Sequence, residues 1–211
     1  MTLPDLSEEQ VLWNQNKLVA GIDEVGRGCI AGPVVAASVI LPIGFKPDFK
    51  VNDSKKLSEK QRKEIYHKVI SIGISYSVAF IDNNIIDEIN ILQATFRAMS
   101  NSIDKLSQKP DYLLIDGNRY INKSKNEIEY KTIIKGDTKS FSIALASIIA
   151  KVERDNYMAN VLDLKYPNYH FKNNKGYGTK QHYNAINNFG TTPFHRATFL
   201  KKLNINQINL F

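Results

Sequence analysis

Four acidic side chains stand where chemistry could use them. Asp23 and Glu24 follow the apolar run Val19-Ala20-Gly21-Ile22, Asp116 follows Tyr112-Leu113-Leu114-Ile115, and Asp137 follows Ile133-Ile134-Lys135-Gly136. Each run reads as a strand, so each acid falls at a C-terminal strand end, where sites in helix-flanked sheets are usually built. Any one of them alone is most simply a loop residue or a helix N-cap. Three strand ends that all close on Asp are harder to dismiss. Carboxylates gathered in a small site repel one another and raise their pKa unless a cation joins them. An all-oxygen donor set suits Mg²⁺ or Mn²⁺ better than zinc or copper. A pair of such ions about 4 Å apart serves phosphodiester hydrolysis, one activating water and the other steadying the leaving 3′ oxygen. A serine or cysteine nucleophile is disfavoured, because Cys29 has no evident histidine partner and His67, His170, His182 and His195 lie in polar or terminal segments. Adjacent strand residues point to opposite faces. Asp23 and Glu24 therefore share a site only if the strand ends there or Glu24 offers its backbone carbonyl.

Three loops accompany the acids. Gly26-Arg27-Gly28 is either a tight turn with positive φ or a bare stretch of backbone that approaches a ligand, with Arg27 and amide N–H groups toward phosphate. Asn52-Asp53-Ser54-Lys55-Lys56 could donate to phosphate or simply be solvated. Lys175-Gly176-Tyr177-Gly178-Thr179 sets an aromatic ring between glycines, where it either stacks on a sugar or base or supports the fold.

Strands are expected over 18–22, 34–41, 74–81, 112–115 and 129–134. Ser58-Glu59-Lys60-Gln61 has capping-box form and opens a helix to about Ser71. Ile85, Ile89, Leu92, Phe96 and Met99 recur at helical spacing and predict one long helix over 84–106. Further helices are expected over 141–158, over 179–189 and after His195. The small residues Ala144, Ala146 and Ala150 suit close packing on a sheet. The basic segment 119–131 reads as a solvated loop. Strands that alternate with helices imply a mixed sheet with helices on its faces.

With 211 residues, 43% hydrophobic and 23% charged, the chain can bury one domain's core. The net charge of +7 favours a polyanionic partner, though on its own only weakly. A lone cysteine excludes an internal disulfide, and there is no zinc-ligand spacing. No secretory leader and no membrane-spanning run are evident, so the expected location is cytoplasmic.

Taken together, the motifs resemble ribonuclease HII, the bacterial type 2 ribonuclease H family. They are Gly21-Ile22-Asp23-Glu24-Val25-Gly26-Arg27-Gly28 with Ala31-Gly32-Pro33-Val34-Val35-Ala36-Ala37, Asn52 to Leu57, Leu114-Ile115-Asp116-Gly117-Asn118, Lys135-Gly136-Asp137 with Ala146 to Asp155, Lys175-Gly176-Tyr177, and His195-Arg196. They occur in family order across residues 18–199. The resemblance implies a ribonuclease H-like α/β fold: a mixed five-stranded sheet flanked by helices, with a small helical C-terminal part. It implies that Asp23, Glu24, Asp116 and Asp137 are catalytic and hold two Mn²⁺ or Mg²⁺ ions. Gly26, Arg27, Gly28 and Tyr177 match elements that recognise the ribonucleotide 2′-hydroxyl and the following deoxyribose, a group that locally separates RNA from DNA. Lys55 matches a lysine near the scissile phosphate, Arg196 is carried over as a nucleic-acid contact, and Asp155 as an accessory acid.

The implied activity is endonucleolytic cleavage of RNA in RNA–DNA hybrids, and on the 5′ side of single ribonucleotides in duplex DNA, leaving a 3′-hydroxyl and a 5′-phosphate. Alternatives are another nuclease of this fold, such as a resolvase or integrase, and a non-catalytic hybrid-binding protein. The related type III enzymes carry an extra N-terminal domain, against which the short segment before the first strand speaks. The expected division is an N-terminal extension (1–17), a catalytic domain (18–199) and a tail (200–211), in a monomer. Gln207-Ile208-Asn209-Leu210-Phe211 resembles the tail motif by which bacterial repair enzymes dock on the sliding clamp, with Gln207, Leu210 and Phe211 as its anchors.

Overall fold

The computed structural model describes residues 3–125 and 127–201. Helix α1 (Ser7–Trp13) leads into β1 (Val19–Val25) and β2 (Val34–Ile40). There follow α2 (Glu59–Ser71), β3 (Ser75–Ile81), α3 (Asn83–Ile89), α4 (Ile91–Asp104), β4 (Tyr112–Asp116) and β5 (Glu129–Ile133). A 3₁₀ turn at Gly136–Thr138 opens into α5 (Phe141–Tyr157), which runs on as a π-helical stretch at Met158–Leu162 and then α6 (Asp163–Lys165). After a second 3₁₀ turn at Pro167–Tyr169 come α7 (Phe171–Asn174), α8 (Lys180–Phe189) and α9 (Ala197–Leu200). Among the described residues no helix is long and apolar enough to cross a membrane.

The five strands form one mixed sheet in the order β3-β2-β1-β4-β5. β1 is antiparallel to β2 and parallel to β4, and β4 is parallel to β5. Side chains of β1 alternate between two cores. Val19 packs with Leu145, Ile148 and Ile149 of α5, whereas Ala20 and Ile22 pack with Phe96, Met99 and Ile103 of α4. Removing each large aliphatic side chain from water contributes about 1.5–3 kcal/mol. Gly21 faces α5 so closely that a Cβ there would lie 2.3 Å from Ser142 Oγ. A third cluster, built from Ile30, Met158, Leu162, Tyr169, Phe171 and Ile186, holds the C-terminal helices against the loop after β1.

The strands and most helices fall where the sequence puts them, and α2 carries the expected capping box, with Ser58 Oγ accepting from Gln61 N. Two expectations need correction. The helix expected over 84–106 is broken at Asn90, where φ is +65°, and the Asn90 side chain caps α4 by accepting from Leu92 N and Gln93 N. The apolar period runs through the break because both pieces bury the same face, so spacing alone hid it. The segment 119–131 is not simply solvated, since Tyr120 and Ile128 are buried and Tyr130 and Lys131 belong to β5. The N-terminal extension contains α1, whose Glu9 is fully buried and accepts from Ser140 Oγ, Ser142 N and Ser142 Oγ, bracing the start of α5.

Candidate active site

The parallel pairing of β1 with β4 brings the C-terminal ends of both strands side by side. One carboxylate oxygen from each of Asp23, Glu24 and Asp116 lies within 4.8 Å of the others. Asp23 falls on the α5 face, and its carboxylate takes hydrogen bonds from Glu24 N at 2.7 Å and from the Ser147 hydroxyl. Ser147 Oγ in turn meets Ser54 Oγ at 2.9 Å. Glu24 begins on the other face, yet β1 stops one residue later and Gly26 turns the chain at φ +90°. At this strand end both neighbouring carboxylates reach one place. Asp116 Oδ1 accepts from Gly136 N at 2.6 Å, which ties it to the turn that carries Asp137. Asp137 does not join the three at that spacing, but it is buried and feels the charge of Asp116.

The electrostatics are those of an acidic nest. Burial, then Glu24 and Asp116, push Asp23 well above the usual carboxylate range. Burial also raises Glu24, against the lowering effect of Arg27, whose Nη1 is 3.1 Å from Glu24 Oε1. Asp137 is raised by burial, Asp116 and Asp53, while Lys55 lowers it. Hard oxygen donors that oppose one another in this way fit a divalent cation, which would relieve the repulsion. A cleft beside them is lined by Glu24, Arg27, Asp116, Asn118 and Arg119, with α4 as its wall.

The loop residues divide into two kinds. Arg27, Gly28, Lys55 and Tyr177 are exposed. Tyr177 lies with Lys151 Nζ 5.7 Å from its ring centroid, and Lys151 is ion-paired with Asp155 at 2.8 Å. Asp155 is thus linked to the tyrosine through Lys151 and does not join the three clustered carboxylates. Arg196, expected as a nucleic-acid contact, is fully buried. Its guanidinium donates to the carbonyls of Gly26, Arg27 and Gly32 at 2.8–3.0 Å. Burial pulls its pKa down to about 10, so it stays charged at neutral pH but cannot reach phosphate.

Arg154, which no site argument from sequence singled out, plays the same part from α5. It donates to Pro33 O at 2.9 Å, Lys175 O at 2.8 Å and Ala31 O at 3.2 Å. Ile30 N and Ala31 N also donate to Gly176 O. The 26–33 loop and the Tyr177 turn therefore form one braced unit. The only signal in the sequence was an arginine placed beside an apolar helix face.

His182 and His195 are not polar-segment residues but are buried against each other, with Nε2 atoms 3.0 Å apart. Burial and the neighbouring His182 push His195 from 6.5 down to about 4. A base held neutral in this way leaves stability undiminished above the unfolded pKa. Below it the unfolded chain takes up the proton first, so this contribution is lost as pH falls from about 6.5 to about 4, by up to about 3 kcal/mol. Titration of the His195 ring by NMR should give a midpoint near 4, and a midpoint near 6.5 would show that the ring is not held neutral.

The comparisons with known proteins agree with this geometry. The ribonuclease HII family model matches residues 20–202. The chain is similar to the ribonuclease HII of Bacteroides fragilis, at 47% identity over all of this chain and 99% of the relative. It is also similar in structure to the ribonuclease H2 of Pyrococcus horikoshii, with a TM-score of 0.71 and 28% identity over 86% of this chain and 93% of that one. The ribonuclease HII of Archaeoglobus fulgidus, solved in complex with PCNA, shares the fold at a TM-score of 0.66 and 23% identity, covering 85% and 94% of the two chains. The acid cluster, the mixed sheet that presents it and the family match together place the chain in the ribonuclease HII family, as an endonucleolytic hydrolase of the RNA in RNA–DNA hybrids.

Proposed function

We propose that the enzyme also cuts on the 5′ side of single ribonucleotides embedded in duplex DNA, leaving a 3′-hydroxyl and a 5′-phosphate. The observation that carries this reading is the junction of two features on one loop. Glu24 of the acid cluster is ion-paired with Arg27, and the loop that bears Arg27 is bonded to the turn that bears Tyr177. Recognition and cleavage are thereby held in fixed register, within reach of a single RNA-to-DNA step. Asp23, Glu24 and Asp116 would hold the divalent ions, with Asp137 completing the set. Bound Mg²⁺ or Mn²⁺ would supply Lewis-acid activation of water and charge stabilisation at the leaving oxygen. The exposed Lys55, whose charge already acts on Asp137, would neutralise phosphate beside the cluster. The exposed Gly28 keeps the backbone bare, Gly26 leaves room beneath it for the Arg154 side chain, and the Tyr177 ring stacks on the sugar that follows the ribonucleotide.

The same reading places a cytoplasmic monomer on ribonucleotide-bearing DNA. Its C-terminal anchors Gln207, Leu210 and Phe211 lie outside the described residues. Their docking on a sliding clamp is supported by the residue pattern alone.

The test is a duplex with one ribonucleotide, set against an all-DNA control and a continuous RNA–DNA hybrid, with Mg²⁺, Mn²⁺ or EDTA. Cleavage 5′ of the ribonucleotide, sparing of the control and loss in EDTA are expected. Tyr177→Ala should lose about 10- to 100-fold at the single ribonucleotide, as expected for a stacking contact of about 1–3 kcal/mol, and less on the hybrid. Equal losses on both substrates would make Tyr177 a structural residue.

A further inference from the structure

Behind the Tyr177 turn the two buried histidines have no part in the chemistry above. The two ends of the pair meet backbone groups whose hydrogen-bonding character is fixed. Thr192 N donates to His195 Nδ1 over 2.8 Å, so that nitrogen must present a lone pair, and the proton of the neutral ring sits on Nε2. His195 Nε2–H therefore donates across 3.0 Å to His182 Nε2, which must itself be bare. His182 then carries its proton on Nδ1 and donates to the Tyr177 carbonyl over 2.9 Å. Protonating either ring would set two N–H groups against each other. Apolar walls favour the neutral pair, since the Tyr169 ring lies 5.3 Å from His195 and the Phe171 ring 5.3 Å from His182.

The chain of bonds has one direction and ends on the residue that carries the exposed ring. The Tyr177 carbonyl also accepts from Thr179 N at 2.8 Å, and Tyr177 N donates to Asn174 O at 2.9 Å. Both polar groups of this backbone residue are thus fixed, while the ring remains exposed on the surface. Thr192 and His195, at the far end, belong to the segment that leads straight into Arg196, the clamp of the 26–32 loop. The relay thus links the two halves of the recognition surface through its underside.

We propose that His182 and His195 are positioning residues for Tyr177: a neutral, one-way hydrogen-bond relay that sets the ring for a lone ribonucleotide without touching nucleic acid. This rests on the reading of Tyr177 as the recognition residue. A continuous hybrid offers many registers and tolerates a displaced ring, whereas a single RNA-to-DNA step offers one. The pair is therefore a specificity determinant.

The test uses the full chain with Mg²⁺, as wild type, His182→Leu, His182→Asn and Tyr177→Ala, on the single-ribonucleotide duplex and the continuous hybrid. His182→Leu should lower kcat/KM about tenfold at the single ribonucleotide, mainly through KM, and by less than about threefold on the hybrid. His182→Asn keeps an N–H that can reach the Tyr177 carbonyl and should return to within about threefold of wild type. Nitrogen-15 NMR of the wild-type rings at neutral pH should show His195 protonated on Nε2 and His182 on Nδ1. The reverse tautomers, or a charged ring, would overturn the relay even if His182→Leu fails to fold. If Tyr177→Ala is selective and His182→Leu is not, the positioning role alone is wrong. If Tyr177→Ala itself loses equally on both substrates, the recognition reading fails and the proposal falls with it.

Discussion

Replacing Asp116 by Asn should abolish cleavage while hybrid binding persists. Asp116 sits at the end of β4, where one oxygen joins Asp23 and Glu24 within 4.8 Å and Oδ1 accepts from Gly136 N. Asparagine can still accept from Gly136, so the turn that carries Asp137 should hold. What disappears is a full negative charge at the centre of the nest, and with it the capacity to bind a divalent cation. Turnover should fall by at least about three orders of magnitude, roughly 4 kcal/mol of barrier. Hybrid affinity should stay within about threefold, because the exposed Arg27 and Lys55 proposed to meet phosphate are left in place. Asp116 also raises the pKa of Asp23 and of Asp137. In EDTA the variant should therefore be at least as stable as wild type, since it relieves a repulsion that no ion offsets. Turnover within tenfold of wild type would remove Asp116 from the site.

Replacing Arg196 by Ala should cost about 3–5 kcal/mol of stability. The change empties a fully buried site and strands the carbonyls of Gly26, Arg27 and Gly32, each of which loses a charge-assisted donor. Lysine is not an adequate replacement, because its ammonium cannot reproduce the planar fork that meets three carbonyls at once. Arg196→Lys should recover only part of the loss in urea denaturation. The same experiment separates this role from phosphate binding. A phosphate-contacting arginine would leave stability near wild type and reduce the salt dependence of hybrid binding by about one unit of slope. The expected outcome is the opposite: a large drop in stability and an unchanged salt slope.

The acid cluster was legible because its signals are local. Three β-leaning apolar runs that each close on an acid point to strand ends, and the glycines after Glu24 announce the turn that lets two adjacent carboxylates meet. What braces the site was not legible. Arg196 reaches Gly26 and Gly32 across 170 and 164 residues of sequence, and nothing in its type separates a buried clamp from a solvated cation. His182 and His195 lie 13 residues apart, yet their pairing depends on how α8 and the 191–196 segment fold back on Tyr169 and Phe171. The break at Asn90 escaped because the hydrophobic period runs through it. Glu9 escaped because an acidic residue near the start of a chain reads as surface, whereas here three donors from Ser140 and Ser142 converge on its Oε1 in the interior.

Asp23, Glu24 and Asp116, with Asp137 beside them, are proposed to form a divalent-cation site that performs the cleavage. The most direct measurement is anomalous diffraction from crystals of the enzyme grown with Mn²⁺ and a non-cleavable duplex that contains one ribonucleotide. Manganese peaks are expected, ligated by the carboxylates of Asp23, Glu24 and Asp116, next to the scissile phosphate. Under conditions where Mn²⁺ supports cleavage in solution, an occupied duplex with no manganese at these carboxylates, or manganese bound elsewhere, would contradict it.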